Sequence, residues 1–361
     1  MSVESHKLDS QDVGPSDVSA ALLAAPAIHG MRRRNLLGGA LAGVAGALLP
    51  RTSHALTAVN GTVIGKNNWL FLSYDDPRRM DVSKFRAVAS VVSNTAKILK
   101  SANIATVIAF APSKARLYSE YLPDDFQFNS QTEARYKTGL QLLRDAGALV
   151  PDLEDPLTQF RKKSPDTHVY FIGDTHWSAI GAEHAAQVVG DEMLKTLGLP
   201  PSAKPGSRLT HATTETYTVN DLARNLDPAH RANYKPEQYQ RMEAASGASA
   251  GLLDTEEFDV AVVGCSYMQP AFNFAPMLSN RLNRPVGLTW RVHDIGPYRA
   301  MLTYLQGSDF KHNRPKAIVW NLHEMDMELL PNNQGAWPNN AMSAKDFLTA
   351  VQTATGKNGT A

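Results

Sequence analysis

Across 361 residues, 43% of them hydrophobic and 20% charged, the chain has enough apolar material to bury a full core in one large or two modest domains, which excludes disorder throughout. Thirty-six basic against 35 acidic side chains leave a formal charge of +1, so no sequence-wide field marks nucleic acid as a partner. The single cysteine, Cys265, excludes an internal disulfide and any site built from several thiolates.

The first recognisable element is a leader over residues 1–55. Arg32-Arg33-Arg34 precedes a weakly apolar, Gly- and Ala-rich run from Gly38 to Leu49, and Ser53-His54-Ala55 closes it. A basic cluster, a short apolar stretch and a small-x-small end describe a secretory signal. The paired arginines and modest hydrophobicity favour twin-arginine export, with cleavage after Ala55. The apolar run is shorter than the roughly 20 residues a membrane span needs, which disfavours the alternative of an uncleaved anchor. Met31 is a possible true start, since residues 1–30 lie upstream of the signal.

Residues 56–361 are expected to form one domain with a loop-rich insertion. Gly65 to Asn68 predicts a turn into the short apolar strand ending at Leu72. Apolar residues at Phe85, Val88, Val91, Val92, Ala96 and Leu99 predict a helix over 83–102. Ile104 to Phe110 is a continuous apolar run of the kind found in parallel strands covered on both faces. A helix over 131–146 leads to strand-like Leu149 to Leu153, and a strand is expected at Val169 to Ile172. Ser178 is a fair N-cap for a helix to Leu197, with Gly198 as its stop. Residues 199–256 show little period and read as a loop-rich insertion; Tyr217, Tyr234 and Tyr239 there line an acceptor groove or belong to a solvated loop. Strands at 259–263, 286–290 and 317–320 then alternate with helices near 273–282, 298–305 and 344–354. That alternation predicts an α/β fold, an open and mainly parallel sheet with helices on both faces, whose chemistry gathers beyond the carboxyl ends of the strands.

Two stretches carry chemistry. In Gly173-Asp174-Thr175-His176-Trp177 a carboxylate and an imidazole two residues apart can pair, leaving the far ring nitrogen as a base. In Gly264-Cys265-Ser266-Tyr267 a strand stops at a tight turn with a hydroxyl at its tip. Joined, they make an Asp-His-Ser site, with Ser266 as nucleophile, His176 as base and Asp174 as its orienter. An oxyanion also needs donors. Ser266's own amide is the first candidate, and Gly296 and Asn321, each after a predicted strand, are weaker ones; Tyr267 and Trp177 are candidate substrate contacts. Each motif taken alone also reads as a surface ion pair or an ordinary turn. Cys265 reads as a buried packing residue. His168, His176 and His184 are eight apart and fit no helical ligand pair, so neither metal nor another cofactor is expected.

The sequence resembles the SGNH-hydrolase-like family of periplasmic polysaccharide O-acetyltransferases, the alginate acetylation proteins of the AlgJ and AlgX type. Lys66 to Leu72, Ala111-Pro112-Ser113-Lys114 through Leu122-Pro123, Asp174-Thr175-His176-Trp177 and Gly264-Cys265-Ser266-Tyr267 carry the resemblance, in the family's order over residues 58–330. It implies a flavodoxin-like three-layer α/β/α fold with a circularly permuted motif order, the same triad, and acetyl transfer through an acetyl-serine to a polysaccharide hydroxyl. It also implies a periplasmic setting, a membrane-bound O-acyltransferase as acetyl donor and other export proteins as partners. The alternatives are a carbohydrate acetylesterase with the same triad, or a non-catalytic glycan-binding subunit of a secretion complex. Two departures stand out: Cys265 replaces the usual Asp or Thr, and Asn321 to Met325 is a worn version of a late Glu-Arg segment.

Overall fold

The structure, a computed structural model, describes residues 58–78, 80–126, 128–245 and 257–356. The leader and its twin arginines lie outside the described residues. The described residues all belong to one compact unit, His54–Ala361.

Three short strands, β1 (Ala58–Val59), β2 (Thr62–Ile64) and β3 (Leu70–Leu72), form an antiparallel meander. Helix α1 (Val82–Ser101) starts where the Asp81 carboxylate accepts from the Ser83 and Lys84 amides, satisfying orphan donors of the first turn. It buries Phe85, Val88, Val92 and Leu99, one face at helical spacing. Then come β4 (Ala105–Ala111), α2 (Lys114–Leu117), α3 (Ser130–Asp145), α4 (Glu154–Lys163) and α5 (Ala179–Thr196). Next are β5 (Leu209–Tyr217), α6 (Asp221–Arg224), α7 (Pro228–Arg231) and β6 (Glu237–Ala244). The last part runs β7 (Val260–Gly264), α8 (Phe274–Leu282), β8 (Val286–Trp290), α9 (Gly296–Gln306), α10 (Ser308–His312), β9 (Ala317–His323) and α11 (Ala344–Ala354).

The central sheet is parallel, in the order β4-β9-β7-β8. Strand alternation divides its side chains between two cores. Val107, Ala109, Ala111, Val260, Val262 and Val319 pack with α5 and α8. Ile108, Phe110, Ala261, Val263, Ile318 and Trp320 pack with α1, α3, α9 and α11. Each such Val, Ile or Phe withdrawn from water contributes about 1.5–3 kcal/mol, and every residue of β7 and β9 is buried. The layers are therefore α/β/α, as the alternating sequence predicts.

Three expectations change. Leu149 touches β4 through one bridge to Val107, and Val169 to Ile172 is no strand of the sheet. That run turns back on itself: the Phe171 amide donates to His176 O and the Ser178 amide to Val169 O. Elsewhere in the run the Val169 amide donates to the Tyr118 hydroxyl and the Ile172 amide to Glu237, and Ile172 O accepts from Leu70 and Lys114, so its bonds go to loops, side chains and β3 and not to the central sheet. The supposed loop at 199–256 contains a hairpin, β5 against β6. Its Thr- and Glu-rich strands are largely exposed and so show no apolar alternation.

Candidate active site

Ser266 opens a 3-10 turn directly after β7, at the carboxyl edge of the sheet. The backbone passes so close to β9 that a Cβ on Gly264 would lie 2.7 Å from Asn321 Cβ, which explains a glycine before the turn. Asp174 and His176 stand on the tight turn between Phe171 and Trp177. Ser178, with its hydroxyl accepting from the Gly181 amide, then starts α5.

The three side chains form one hydrogen-bonded line. His176 Nδ1 donates to Asp174 Oδ1 at 2.6 Å, and the Ser266 hydroxyl donates to Nε2 at 2.8 Å, in the tautomer that the carboxylate imposes. Asp174 is fully buried and His176 nearly so, whereas Ser266 is half-buried, the one member open to a substrate. Burial pushes the Asp174 carboxyl up, but the His176 charge and hydrogen bond and two backbone amides outweigh it and hold the group down at about 2. Burial pushes the His176 imidazole down, and the charge and hydrogen bond of Asp174 win, raising it above an ordinary imidazole.

The turn carrying Asp174 and His176 is held from several sides. Lys114, buried, donates from Nζ to the carbonyls of Leu70, Ile172 and Asp174 at 2.6, 2.9 and 2.9 Å. Burial lowers this ammonium to about 8, against the opposing charges of Glu237, Asp174 and Asp221. The Glu237 carboxylate on β6 accepts from the amides of Ile172 and Gly173. Asp221 donates its amide to Asp174 Oδ2 and accepts from the Thr175 amide. Sequence reasoning found Lys114 as a motif residue without a role and missed Asp221 and Glu237. Their partners are 46 or more residues away, and no local pattern marks them.

The weaker sequence candidates sit elsewhere. Trp177 is buried and its indole N–H donates to Tyr267 O at 2.8 Å; the Tyr267 hydroxyl donates to Thr175 O at 2.8 Å and accepts from His323 Nε2. Both side chains therefore brace the two motifs against each other instead of facing substrate. Asn321 is fully buried, donates to Ala109 O and accepts from the Cys265 thiol. The reason is length: β9 runs on to His323, so Asn321 lies inside the sheet and not at its rim. Gly296 spends its amide on His293 O and is covered by Trp337, whose Nε1 would be 2.6 Å from an added Cβ. Only Ser266's amide, at the start of its 3-10 turn and so outside that turn's own hydrogen bonding, remains of the oxyanion candidates. Cys265 is buried and its thiol pushed up to about 12 by burial, first of all, and by the Asp326 charge.

The worn late segment is a buried ionic knot. Glu324 accepts from Arg116 Nε and Nη2 at 3.1 and 2.7 Å and from the Ser113 amide, with Arg135 Nη1 at 3.1 Å. It ties α2, α3 and the end of β9 together beneath the site. Asp174, His176 and Asp221 are the only group among the described residues whose donor atoms lie close enough to share a metal ion. Asp174 and the imidazole are already joined to each other and to Ser266.

Residues 62–324 match the family described as SGNH hydrolase-like domain, acetyltransferase AlgX. The chain belongs to this AlgX-type acetyltransferase family. Among curated relatives it is 31% identical over 279 residues to the probable alginate O-acetylase AlgJ of Pseudomonas aeruginosa, covering 73% of this chain and 70% of that protein. The solved O-acetyltransferase domain of Pseudomonas putida AlgJ is similar at a TM-score of 0.65 with 26% identity, over 81% of this chain and 99% of that one. Pseudomonas aeruginosa AlgX shares the fold at a TM-score of 0.59 and 20% identity, over 83% of this chain and 69% of that one. The α/β architecture and the acyltransferase class expected of an AlgX-type chain thus agree with the relatives. Among the described residues, no helix is long and apolar enough to cross a membrane.

Proposed function

We propose that this protein is a periplasmic O-acetyltransferase that moves acetyl groups onto hydroxyls of an exopolysaccharide, alginate or a polymer like it, through an acetyl-Ser266 intermediate. The observation that carries the reading is the unbroken line from the half-exposed Ser266 hydroxyl through His176 to buried Asp174. The AlgJ relatives, a probable alginate O-acetylase and an O-acetyltransferase domain, supply the acetyl group and the polymer class.

In this mechanism His176 Nε2 takes the Ser266 proton as Oγ attacks the donor's acetyl carbonyl. Asp174 steadies the imidazolium and holds its tautomer, and the Ser266 amide donates to the oxyanion. Collapse releases the donor's leaving group with the proton from His176. A sugar hydroxyl then attacks acetyl-Ser266 while His176 takes its proton; the acetyl–Oγ bond breaks and Ser266 recovers its hydrogen. Acetyl-CoA is absent outside the cytoplasm, so a membrane-bound acyltransferase supplies the acetyl group. The leader with its paired arginines sends the chain to the periplasm.

The test is intact-mass spectrometry of the mature protein and Ser266→Ala after exposure to an activated acetyl ester, with and without a uronate oligosaccharide. A single acetyl adduct that requires Ser266 and moves to the sugar is expected. An adduct lost only to water would make the protein an esterase, and absence of any Ser266-dependent adduct would leave a binding subunit.

A further inference from the structure

The side of the His176 ring that faces Asp174 meets a second carboxylate. Asp221 opens α6 behind Asn220, which takes the left-handed conformation at φ 44 that Asn tolerates better than most residues. From that corner three hydrogen bonds run to the acid–base turn. The Ala223 amide donates to Gly173 O at 3.2 Å and the Asp221 amide to Asp174 Oδ2 at 2.8 Å, while the Thr175 amide donates to Asp221 Oδ1 at 2.7 Å. The remaining oxygen, Asp221 Oδ2, lies 3.9 Å from His176 Nδ1, the nitrogen already bonded to Asp174. A residue that served only to close the turn would need neither this oxygen nor its charge.

We propose that Asp221 is a positioning residue for His176: it fixes the Asp174–His176 turn through a reciprocal pair of hydrogen bonds and adds a second negative charge beside the imidazolium formed when Ser266 gives up its proton. The inference rests on the catalytic reading above and adds a fourth residue to it. Asp174 carries the strong hydrogen bond and Asp221 tunes the field, so the imidazole and two carboxylates titrate as a unit.

The groups around Asp221 agree with that assignment. Asp174 and His176 face it from the turn, Lys114 from α2, Tyr74 from the segment after β3, Tyr217 from β5 and Tyr267 from the nucleophile turn. Lys114 and His176 alone among these carry or gain positive charge, and Lys114 is occupied by three carbonyls. Burial and the neighbouring Asp174 charge raise the Asp221 carboxyl to about 7, with His176 acting against them. Asp221 in turn raises His176. Removing the charge therefore lowers the proton affinity of His176.

The experiment compares wild type with Asp221→Asn, which keeps an oxygen for the Thr175 amide and discards the charge, and with Asp221→Glu, which returns it. Turnover of 4-nitrophenyl acetate is followed against pH, and the His176 ring is titrated by NMR in histidine-labelled protein. Asp221→Asn is expected to lower kcat about tenfold with KM little changed. It should also move both the acid limb of kcat/KM and the His176 midpoint down by about one pH unit, a tenfold change in proton affinity. Asp221→Glu should recover part of both shifts. A His176 midpoint and acid limb equal to wild type in folded Asp221→Asn would overturn the assignment, and so would a loss of activity that Asp221→Glu reproduces in full. The titration needs no turnover: a wild-type enzyme without Ser266-dependent activity would sink the catalytic reading and still leave the Asp221–His176 coupling decided by NMR.

Discussion

Replacing Lys114 by Met isolates what the buried ammonium does. Met fills nearly the same volume and cannot donate, so the carbonyls of Leu70, Ile172 and Asp174 lose a shared partner. Ile172 O keeps the bond from the Leu70 amide at 3.0 Å, and the loss falls mainly on the other two. A buried acceptor stripped of its donor costs about 1–3 kcal/mol. Some of that is offset because an ammonium is no longer withheld from water, the same burial that lowers Lys114 to about 8. The net expectation is about 3 kcal/mol, which for a domain of about 300 residues is about 5 °C in Tm. Differential scanning calorimetry near pH 7 measures it. Because one of the three carbonyls belongs to Asp174, ester turnover should fall further than stability requires, about 10- to 100-fold at a temperature where the variant is fully folded. A Tm within about 2 °C of wild type together with unchanged kcat would refute the reasoning, since the ammonium would then hold nothing that the fold or the site needs.

Three further outcomes are expected. His176 acts when neutral and its proton affinity is raised, so kcat/KM should fall as pH drops through a midpoint above the ordinary imidazole value of about 6.5; a limb centred below that value in wild type would contradict the electrostatics. Glu324→Gln leaves Arg116 and Arg135 buried without their shared anion and should cost about 3–5 kcal/mol by denaturant unfolding. Glu324 is held down at about 2, by Arg116 first among the groups that oppose its burial. Its stabilisation is thus complete above the unfolded carboxyl value and is lost as pH falls from about 4.5 toward 2, a dependence that Glu324→Gln should remove. The Cys265 thiol, buried and pushed up to about 12, should resist iodoacetamide in the folded enzyme, and Cys265→Ala should keep most of the activity; rapid labelling with loss of turnover would place the thiol at the reactive face.

Much of the frame is legible along the chain because its causes are local. The apolar run of β4, the periodic face of α1 and the Ser178 cap of α5 each state their structure within a few residues. Asp174-x-His176 and Gly264-x-Ser266 are legible for the same reason, their spacing being part of their chemistry. What does not show is whatever is completed by a distant partner. Glu324 reads as a degraded strand-end residue until Arg116 and Arg135 are placed around it. Asp221 and Glu237 lie in a stretch without apolar period, because the hairpin they flank faces solvent and works through polar atoms. Val169 to Ile172 looks like a strand because it is buried, and burial alone does not say where its amides bond.

The crossed bonds between Trp177 and Tyr267 bear on how the distance between base and nucleophile is set. One indole reaches from the histidine turn to the serine turn, one phenol reaches back, and the two rings meet edge to face at 5.3 Å. The gap between Nε2 and Oγ is thereby gauged by two rigid aromatic rulers a few ångströms away, and not by the long path through helix and sheet that separates the motifs in the chain. A breathing motion of the sheet would carry both turns together, as the jaws of a clamp move with their screw, and leave the proton's path unchanged. Removing either contact, as in Trp177→Phe or Tyr267→Phe, takes away one cross-member and leaves the other to hold the two turns together alone.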